Sequence, residues 1–211
     1  MTRYYIIAGE ESGDYIGGKL IESLNSLSSP ARSMFFGIGG LNMASCGVKS
    51  LFPITEINLM GFIEVIPKIF RIKLLIKQTI QDILIKKPDV LITVDSPGFT
   101  YRVAKQIKQL MPNVKLVHIV APSVWAYKPG RAKKYAQVYD HLLTLLPFEP
   151  EYFIPLGLAA TCIGHPILEQ EFVTKSSALR EKMNISKDVK IIGVTPGSRK
   201  GEINRHMPII R

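Results

Sequence analysis

Asp95 is a candidate general base. It directly follows the apolar run Val90–Val94 and opens the turn Asp95-Ser96-Pro97-Gly98. A carboxylate at such a position, beside a cleft, can accept the proton of an attacking hydroxyl group. An aspartate just before a proline also caps turns, and spacing alone favours that structural role.

The segment AGEESGD at 8–14 also follows an apolar run and precedes a helical pattern. Ligands of open α/β sheets bind at the carboxyl ends of strands, where glycines let the backbone approach them. The segment is neither GxGxxG nor a Walker loop. Its acidic side chains argue against a phosphate and favour a hydroxyl-rich ligand contacted by Ser12 and Gly13. The alternative that Ser12 or Asp14 only caps the helix stays open.

Two further segments combine groups that bind anions or sugars. The loop at 118–131 contains the single tryptophan, and its Ser123, Trp125 and Arg131 suit a sugar phosphate or an acylated sugar. Stacked nucleic-acid bases are an alternative, but the basic residues are scattered and do not form one strip. Ser198 and Arg199 follow the apolar run 190–194 and suit a diphosphate.

Alternating strands and helices are expected to place these segments. Apolar runs at 4–8, 34–38, 89–94 and 115–120 predict strands, with shorter candidates at 141–145, 161–163 and 190–194. Helical patterns between them give right-handed βαβ units. Because the runs are apolar along their whole length, both faces of the sheet should be covered. We predict an α/β fold with a Rossmann-like, doubly wound parallel sheet.

The segment 57–87 carries more apolar side chains than one core face needs. Pro67 is expected to separate a short helix from a longer one. The longer helix has a core-facing stripe of isoleucines at 69, 72, 76, 80 and 83. Residues expected beside or beyond that stripe are Met60, Phe62, Ile63, Ile66, Lys68, Phe70 and Arg71. The pattern fits a helix pair at an anionic membrane surface and, equally, a helix buried on two sides.

Composition narrows the class of protein further. Of the 211 residues, 46% are hydrophobic and 21% charged, which predicts a folded chain, and the net charge of +10 favours an anionic partner. Cys46 and Cys162 are too few for a disulfide framework or a zinc cluster. With no signal-peptide pattern and no transmembrane run, a cytoplasmic protein is expected.

Together these segments resemble the lipid-A-disaccharide synthase family of inverting GT-B glycosyltransferases. Eight blocks occur in family order: AGEESGD (8–14), GIGGLNM (37–43), LMGFIEVIPK (59–68), PDVLITVDSPGF (88–99), APSVWAYKPGR (121–131), LPFEPEYF (146–153), IGHP (163–166) and PGSRKGEI (196–203). The resemblance implies transfer of 2,3-diacylglucosamine from UDP-2,3-diacylglucosamine to the 6-hydroxyl of 2,3-diacylglucosamine 1-phosphate. UDP is released, and no metal or other cofactor is implied.

The resemblance also implies residue roles. It makes Asp95 the catalytic base, places Glu10 in the acceptor site of the same cleft, and assigns Ser198 and Arg199 to the donor diphosphate. Acylated substrates imply an enzyme peripheral to the anionic inner membrane, with no nucleic-acid partner. The expected division is an acceptor and membrane-facing domain (1–165), a helical linker (166–189) and the start of the donor-nucleotide domain (190–211).

The remainder of the donor domain is then expected from a downstream chain or segment. The alternative is a catalytically inactive, truncated fragment that retains acceptor and membrane binding.

Overall fold

A computed structural model describes residues 1–27, 33–58, 65–169, 177–197 and 200–210. The chain divides into two compact units, Met1–Ile167 and Leu168–Arg211. The larger unit contains the sheet and almost all of the buried side chains. The smaller unit contains the helices α7 (Ser177–Lys182) and α8 (Lys200–Ile210).

Six parallel strands form the centre of the larger unit. They are β1 (Arg3–Ala8), β2 (Met34–Ile38), β3 (Val90–Val94), β4 (Lys115–Ile119), β5 (His141–Thr144) and β6 (Ala159–Cys162). Their order across the sheet is β2-β1-β3-β4-β5-β6, and every neighbouring pair is parallel. The chain therefore moves outward from β1 to β2 and returns to the other side of β1 for β3. This reversal is a topological switch point, where such folds bind ligands.

Helices cover both faces of the sheet, which explains why the strands are apolar throughout. The helices are α1 (Glu11–Leu27), α2 (Leu41–Ser45), α3 (Thr55–Asn58), α4 (Val65–Lys86), α5 (Thr100–Leu110) and α6 (Arg131–Ala136). One buried cluster joins Tyr5 and Leu91 to α4 and α5, and the other joins Ile6 and Ile92 to α1 and α2. Consecutive strand residues thus enter different cores. The prediction of a Rossmann-like, doubly wound sheet is confirmed.

Helix α4 is buried on one side only over its described side chains. Ile76, Ile80 and Ile83 are buried, as the isoleucine stripe predicted, and Leu75 is buried beside them. In contrast, Phe70 is 69% exposed and Leu74 is 54% exposed. Within this chain the described part of α4 is therefore buried on one side, and its other side is open to solvent. Pro67 is the third residue of the helix, a first-turn position where the missing N–H costs little.

One expected strand does not form. Residues 190–194 lie outside regular secondary structure. A parallel strand needs a neighbour to accept and donate its backbone hydrogen bonds, and the described residues of the smaller unit contain no strand that could pair with it.

Candidate functional site at the carboxyl edge of the sheet

The loops that follow β1 and β3 touch at the switch point. A Cβ atom on Gly9 would lie 2.2 Å from the Ser96 hydroxyl oxygen, so only glycine lets the two loops approach this closely. The contact brings the turn containing Glu10 beside the turn containing Asp95. The two residues expected to act in one cleft therefore lie in adjoining loops.

Asp95 and Ser96 hold an uncommon backbone conformation. Their φ angles are +47° and +46°, in the left-handed region that residues other than glycine rarely adopt. The Asp95 N–H donates to the carbonyl oxygen of Ile119 at 3.0 Å. The Thr100 hydroxyl donates to the carbonyl oxygens of Asp95 at 2.6 Å and Ser96 at 3.0 Å. Contacts from β4 and α5 thus fix the strained turn, and such strain is concentrated at functional sites.

Asp14 has a structural role. Its buried carboxylate accepts hydrogen bonds from the backbone N–H groups of Gly40, Asn42 and Met43 and from the Asn42 side-chain amide, at 2.6–3.1 Å. These donors lie at the start of α2, so Asp14 caps a helix other than its own. The expectation that Asp14 caps its own helix, α1, is therefore wrong for this carboxylate.

The remaining residues of that segment take different positions. Ser12 is exposed in the first turn of α1, where it is open to a ligand. Gly13 is buried, and a Cβ there would lie 3.4 Å from a methyl group of Val94. Gly13 therefore serves close packing of α1 on β3.

Aromatic side chains line the loops after β4 and β5. Trp125 is 46% exposed and meets the ring of Phe148 edge-on, with centroids 5.5 Å apart. Ser123 is exposed, and its carbonyl oxygen accepts hydrogen bonds from two N–H groups of the following turn. Arg131 is half-buried at the start of α6. In the same loop, Nζ of Lys128 lies 4.8 Å from the centroid of the Tyr127 ring, so the loop presents exposed aromatic rings and a cation, groups that suit a sugar phosphate.

A buried polar cluster lies under this loop, and sequence reasoning missed it. Nδ1 of His118 is 2.7 Å from the Thr93 hydroxyl oxygen, which is 3.1 Å from the Tyr139 hydroxyl. The ring of Tyr135 packs on His118 and Tyr139, with centroids 5.1 Å and 5.2 Å away. Two signals pointed to it, a threonine inside an apolar run and two tyrosines spaced i, i+4 on one side of a helix end.

His118 should make the stability of the fold depend on pH. Burial, opposed by a hydrogen bond to Val120 and assisted by the Arg131 cation, lowers the pKa of His118 to about 3. Between pH 6.5 and about pH 3, His118 is protonated in the unfolded chain but neutral in the folded chain. We expect this residue to reduce the free energy of unfolding by about 1.4 kcal/mol for each pH unit of acidification within that window.

Urea unfolding at several pH values checks this expectation. The variant His118→Gln should lose this part of the slope, although it is less stable at neutral pH. An unchanged slope between pH 6 and 4 in the variant would contradict the assignment.

Several expected site residues lie outside the described residues. They are Ser198, Arg199, Met60, Phe62 and Ile63, and the side chains of Ile66 and Lys68 are likewise not described. Phe70 and Arg71 are exposed, and the Arg71 guanidinium pairs with Glu56 at 2.9 Å. Within the described ranges no group of His, Cys, Asp and Glu side chains forms a metal site. None of the helices over those ranges combines the length and hydropathy needed to cross a bilayer.

Comparison with known proteins gives a family model and curated relatives that carry the same description. A family model described as lipid-A-disaccharide synthetase matches residues 4–211. The lipid-A-disaccharide synthases of Rickettsia bellii and Rickettsia akari are each 58% identical to this chain over 99% of its length. The match covers 54% and 53% of those proteins. The chain thus spans about half the length of the curated relatives it matches.

Two solved structures share the fold at low identity. The first is the S. aureus MnaA–UDP co-structure, with a TM-score of 0.60, 12% identity, and coverage of 87% of this chain and 50% of that one. The second is the UDP-GlcNAc 2-epimerase of Neisseria meningitidis bound to UDP-GlcNAc, with a TM-score of 0.56, 9% identity, and coverage of 89% and 54%. Matching half of each neighbour is what one half of a GT-B fold predicts.

Proposed function

Because this chain belongs to the lipid-A-disaccharide synthase family, we propose that it forms the acceptor-binding half of an inverting glycosyltransferase. The reaction moves 2,3-diacylglucosamine from its UDP derivative to the 6-hydroxyl of 2,3-diacylglucosamine 1-phosphate and releases UDP. The observation that carries the proposal is the strained turn that holds Asp95 at the switch point, inside the family's PDVLITVDSPGF block.

The geometry supports a direct-displacement mechanism. Inversion needs a base on the acceptor hydroxyl and a group that stabilises the leaving diphosphate. Asp95 supplies the base, and Glu10 in the adjoining turn orients the acceptor. Trp125 offers its exposed ring to the sugar. Ser198 and Arg199 contact the donor diphosphate in this proposal, with the rest of the donor pocket coming from residues beyond this chain.

UDP release tests the proposal and its alternative. The assay uses this chain alone and a chimera joining it to the C-terminal half of the Rickettsia bellii relative, each with both glycolipids. We expect the chimera to release UDP only when donor and acceptor are both present. If neither protein releases UDP while the chain still binds vesicles, the alternative of an inactive fragment is correct.

We also propose that the larger unit docks on an anionic membrane, where both acylated substrates reside. Phe70 and Leu74 are exposed on α4 next to Lys73 and Lys77. Lys73 and Lys77 also line a groove between α4 and α5, together with Arg102 and Lys105 of α5. The described residues that line this groove include no carboxylate. Apolar side chains flanked by cations favour an anionic interface. In this proposal the protein is a peripheral enzyme on the cytoplasmic side of the inner membrane, as the acylated substrates of the family imply.

Vesicle binding should depend on the exposed apolar residues of α4. The double variant Phe70→Ser, Leu74→Ser is expected to reduce partition onto phosphatidylglycerol vesicles by about tenfold or more, because it removes two exposed apolar side chains that would insert into the bilayer. Ile85→Ser is the matched control, since Ile85 is 74% exposed at the far end of the same helix. Sedimentation with anionic and neutral vesicles measures the effect. Equal losses in both variants would contradict this docking face.

A further inference from the structure

The hydroxyl group of Tyr135 is buried but contributes no well-formed hydrogen bond to the fold. Tyr135 is 3% exposed, and among the described residues its oxygen makes no well-formed hydrogen bond, although the Arg131 side chain is close enough to interact with it. Leaving a buried hydroxyl without a hydrogen bond destabilises a fold, because the group loses its hydrogen bonds to water. A native fold that keeps such a group has another use for it, such as a bound ligand.

The aromatic neighbours of Tyr135 pack against its ring, and their own polar groups form hydrogen bonds with other partners. The ring lies between Tyr101, 5.4 Å away, and the rings of His118 and Tyr139. The hydroxyl of Tyr139 already contacts Thr93, and that of Tyr101 donates to a backbone carbonyl at 3.4 Å. The aromatic packing therefore fixes where the Tyr135 oxygen points and satisfies the polar groups around it.

Two charged groups, the Arg131 guanidinium and the Asp95 carboxylate, influence the ionisation of the Tyr135 hydroxyl. Burial raises the pKa of Tyr135 to about 12, the Arg131 guanidinium acts in the opposite direction, and the Asp95 carboxylate acts in the same direction as burial. The phenol is thus a neutral donor at physiological pH. The cation that begins α6 and the carboxylate that ends β3 are both near enough to act on it electrostatically.

We propose that the Tyr135 hydroxyl and the Arg131 guanidinium together bind the phosphate of a sugar 1-phosphate whose ring reaches Asp95. A guanidinium presents a planar fork that matches two phosphate oxygens. A neutral phenol adds a third donor without adding charge. The Asp95 carboxylate repels the phosphate but accepts a hydroxyl proton, so it orients the sugar with a hydroxyl toward the base and the phosphate toward Arg131. This inference rests on the proposed function, because it identifies that phosphate as the one on the acceptor.

Binding of glucosamine 1-phosphate to this chain, followed by NMR, tests the subsite directly. Tyr135→Phe should weaken binding by about tenfold or more, because it removes a hydrogen bond to a charged group. It should leave any binding of glucosamine, which lacks the phosphate, unchanged. Tyr101→Phe is the matched control and should not alter either affinity. Equal affinity of Tyr135→Phe and the unaltered chain, or no binding to the unaltered chain, would overturn the proposal.

Thermal unfolding separates a ligand role from a structural one. Since the Tyr135 hydroxyl makes no well-formed hydrogen bond in the unliganded fold, Tyr135→Phe should unfold at the same temperature as the unaltered chain or higher. Tyr139→Phe, which loses its contact with Thr93, should unfold at a lower temperature. A lower unfolding temperature for Tyr135→Phe would show that the hydroxyl has a partner in the unliganded fold, such as a buried water, and would overturn the proposal.

The chimera distinguishes failure of this inference from failure of the proposed function. If it releases UDP with the same KM for the phosphorylated acceptor after Tyr135→Phe, the function stands and the subsite is wrong. If it releases no UDP but the chain binds glucosamine 1-phosphate in a Tyr135-dependent way, the subsite stands and the reaction is wrong.

Discussion

Asp95→Asn should reduce UDP release by the chimera by a factor of about 10²–10⁴, the range that general base catalysis contributes. The amide has the same shape as the carboxylate but cannot take the proton of the acceptor hydroxyl. Asparagine also tolerates the left-handed conformation that Asp95 adopts. The turn should therefore survive, held by the Ile119 carbonyl and the Thr100 hydroxyl.

Asp89→Asn is the control for this loss. Asp89 lies just before the other end of β3, where its carboxylate accepts a hydrogen bond from the Arg3 N–H at 2.7 Å. The substitution removes the same charge from a site far along the strand and should leave kcat within about twofold. Activity of Asp95→Asn within tenfold of the unaltered chimera would refute the base assignment. A KM effect without a kcat effect would point to binding alone.

Asp14→Ala should be strongly destabilising although Asp14 belongs to the same AGEESGD segment. The substitution leaves three backbone N–H groups and the Asn42 amide without their acceptor. Hydrogen bonds to a charged acceptor contribute more than neutral ones, and Met43 is buried, so water cannot replace all of them. We expect a loss of roughly 3–5 kcal/mol in the free energy of unfolding, about 10 °C in Tm.

Glu11→Ala provides the comparison for the stability measurement. Glu11 is exposed in the first turn of α1, three residues from Asp14, and its removal should cost less than about 0.5 kcal/mol. Denaturant unfolding of both variants checks the difference. A small effect of Asp14→Ala would mean that the α2 terminus is satisfied without this carboxylate.

Strand positions followed closely from the apolar runs. The expected strand at 34–38 agrees with β2 at both ends, and β1, β3, β4 and β5 differ by a single residue at an end. The runs at 4–8 and 89–94 are flanked on both sides by glycine, proline or charged residues, which end a strand through local chemistry. The failed strand at 190–194 had an equally clear pattern but no neighbour to pair with among the described residues.

The candidate functional residues also differ in whether a local sequence pattern indicates them. Asp95 is a candidate from its place after an apolar run, but spacing alone favoured a turn cap and the family resemblance made it the proposed base. Tyr135 gave no such local signal, because its environment depends on how residues from β3, β4 and α6 pack. Asp14 was read with its own helix, whereas its hydrogen bonds go to residues 26–29 positions away.

Local periodicity and punctuation were thus sufficient for the fold class and for most of the strands, whereas the candidate base Asp95 needed the resemblance to a family. The strand order, the contact of Gly9 with Ser96, the cap between α1 and α2, and the buried environment of Tyr135 came only with the folded chain. Each of these depends on contacts between residues far apart in sequence. Such contacts form when hydrophobic burial of both sheet faces repays the entropy of closing long loops, and no short window of sequence records that balance.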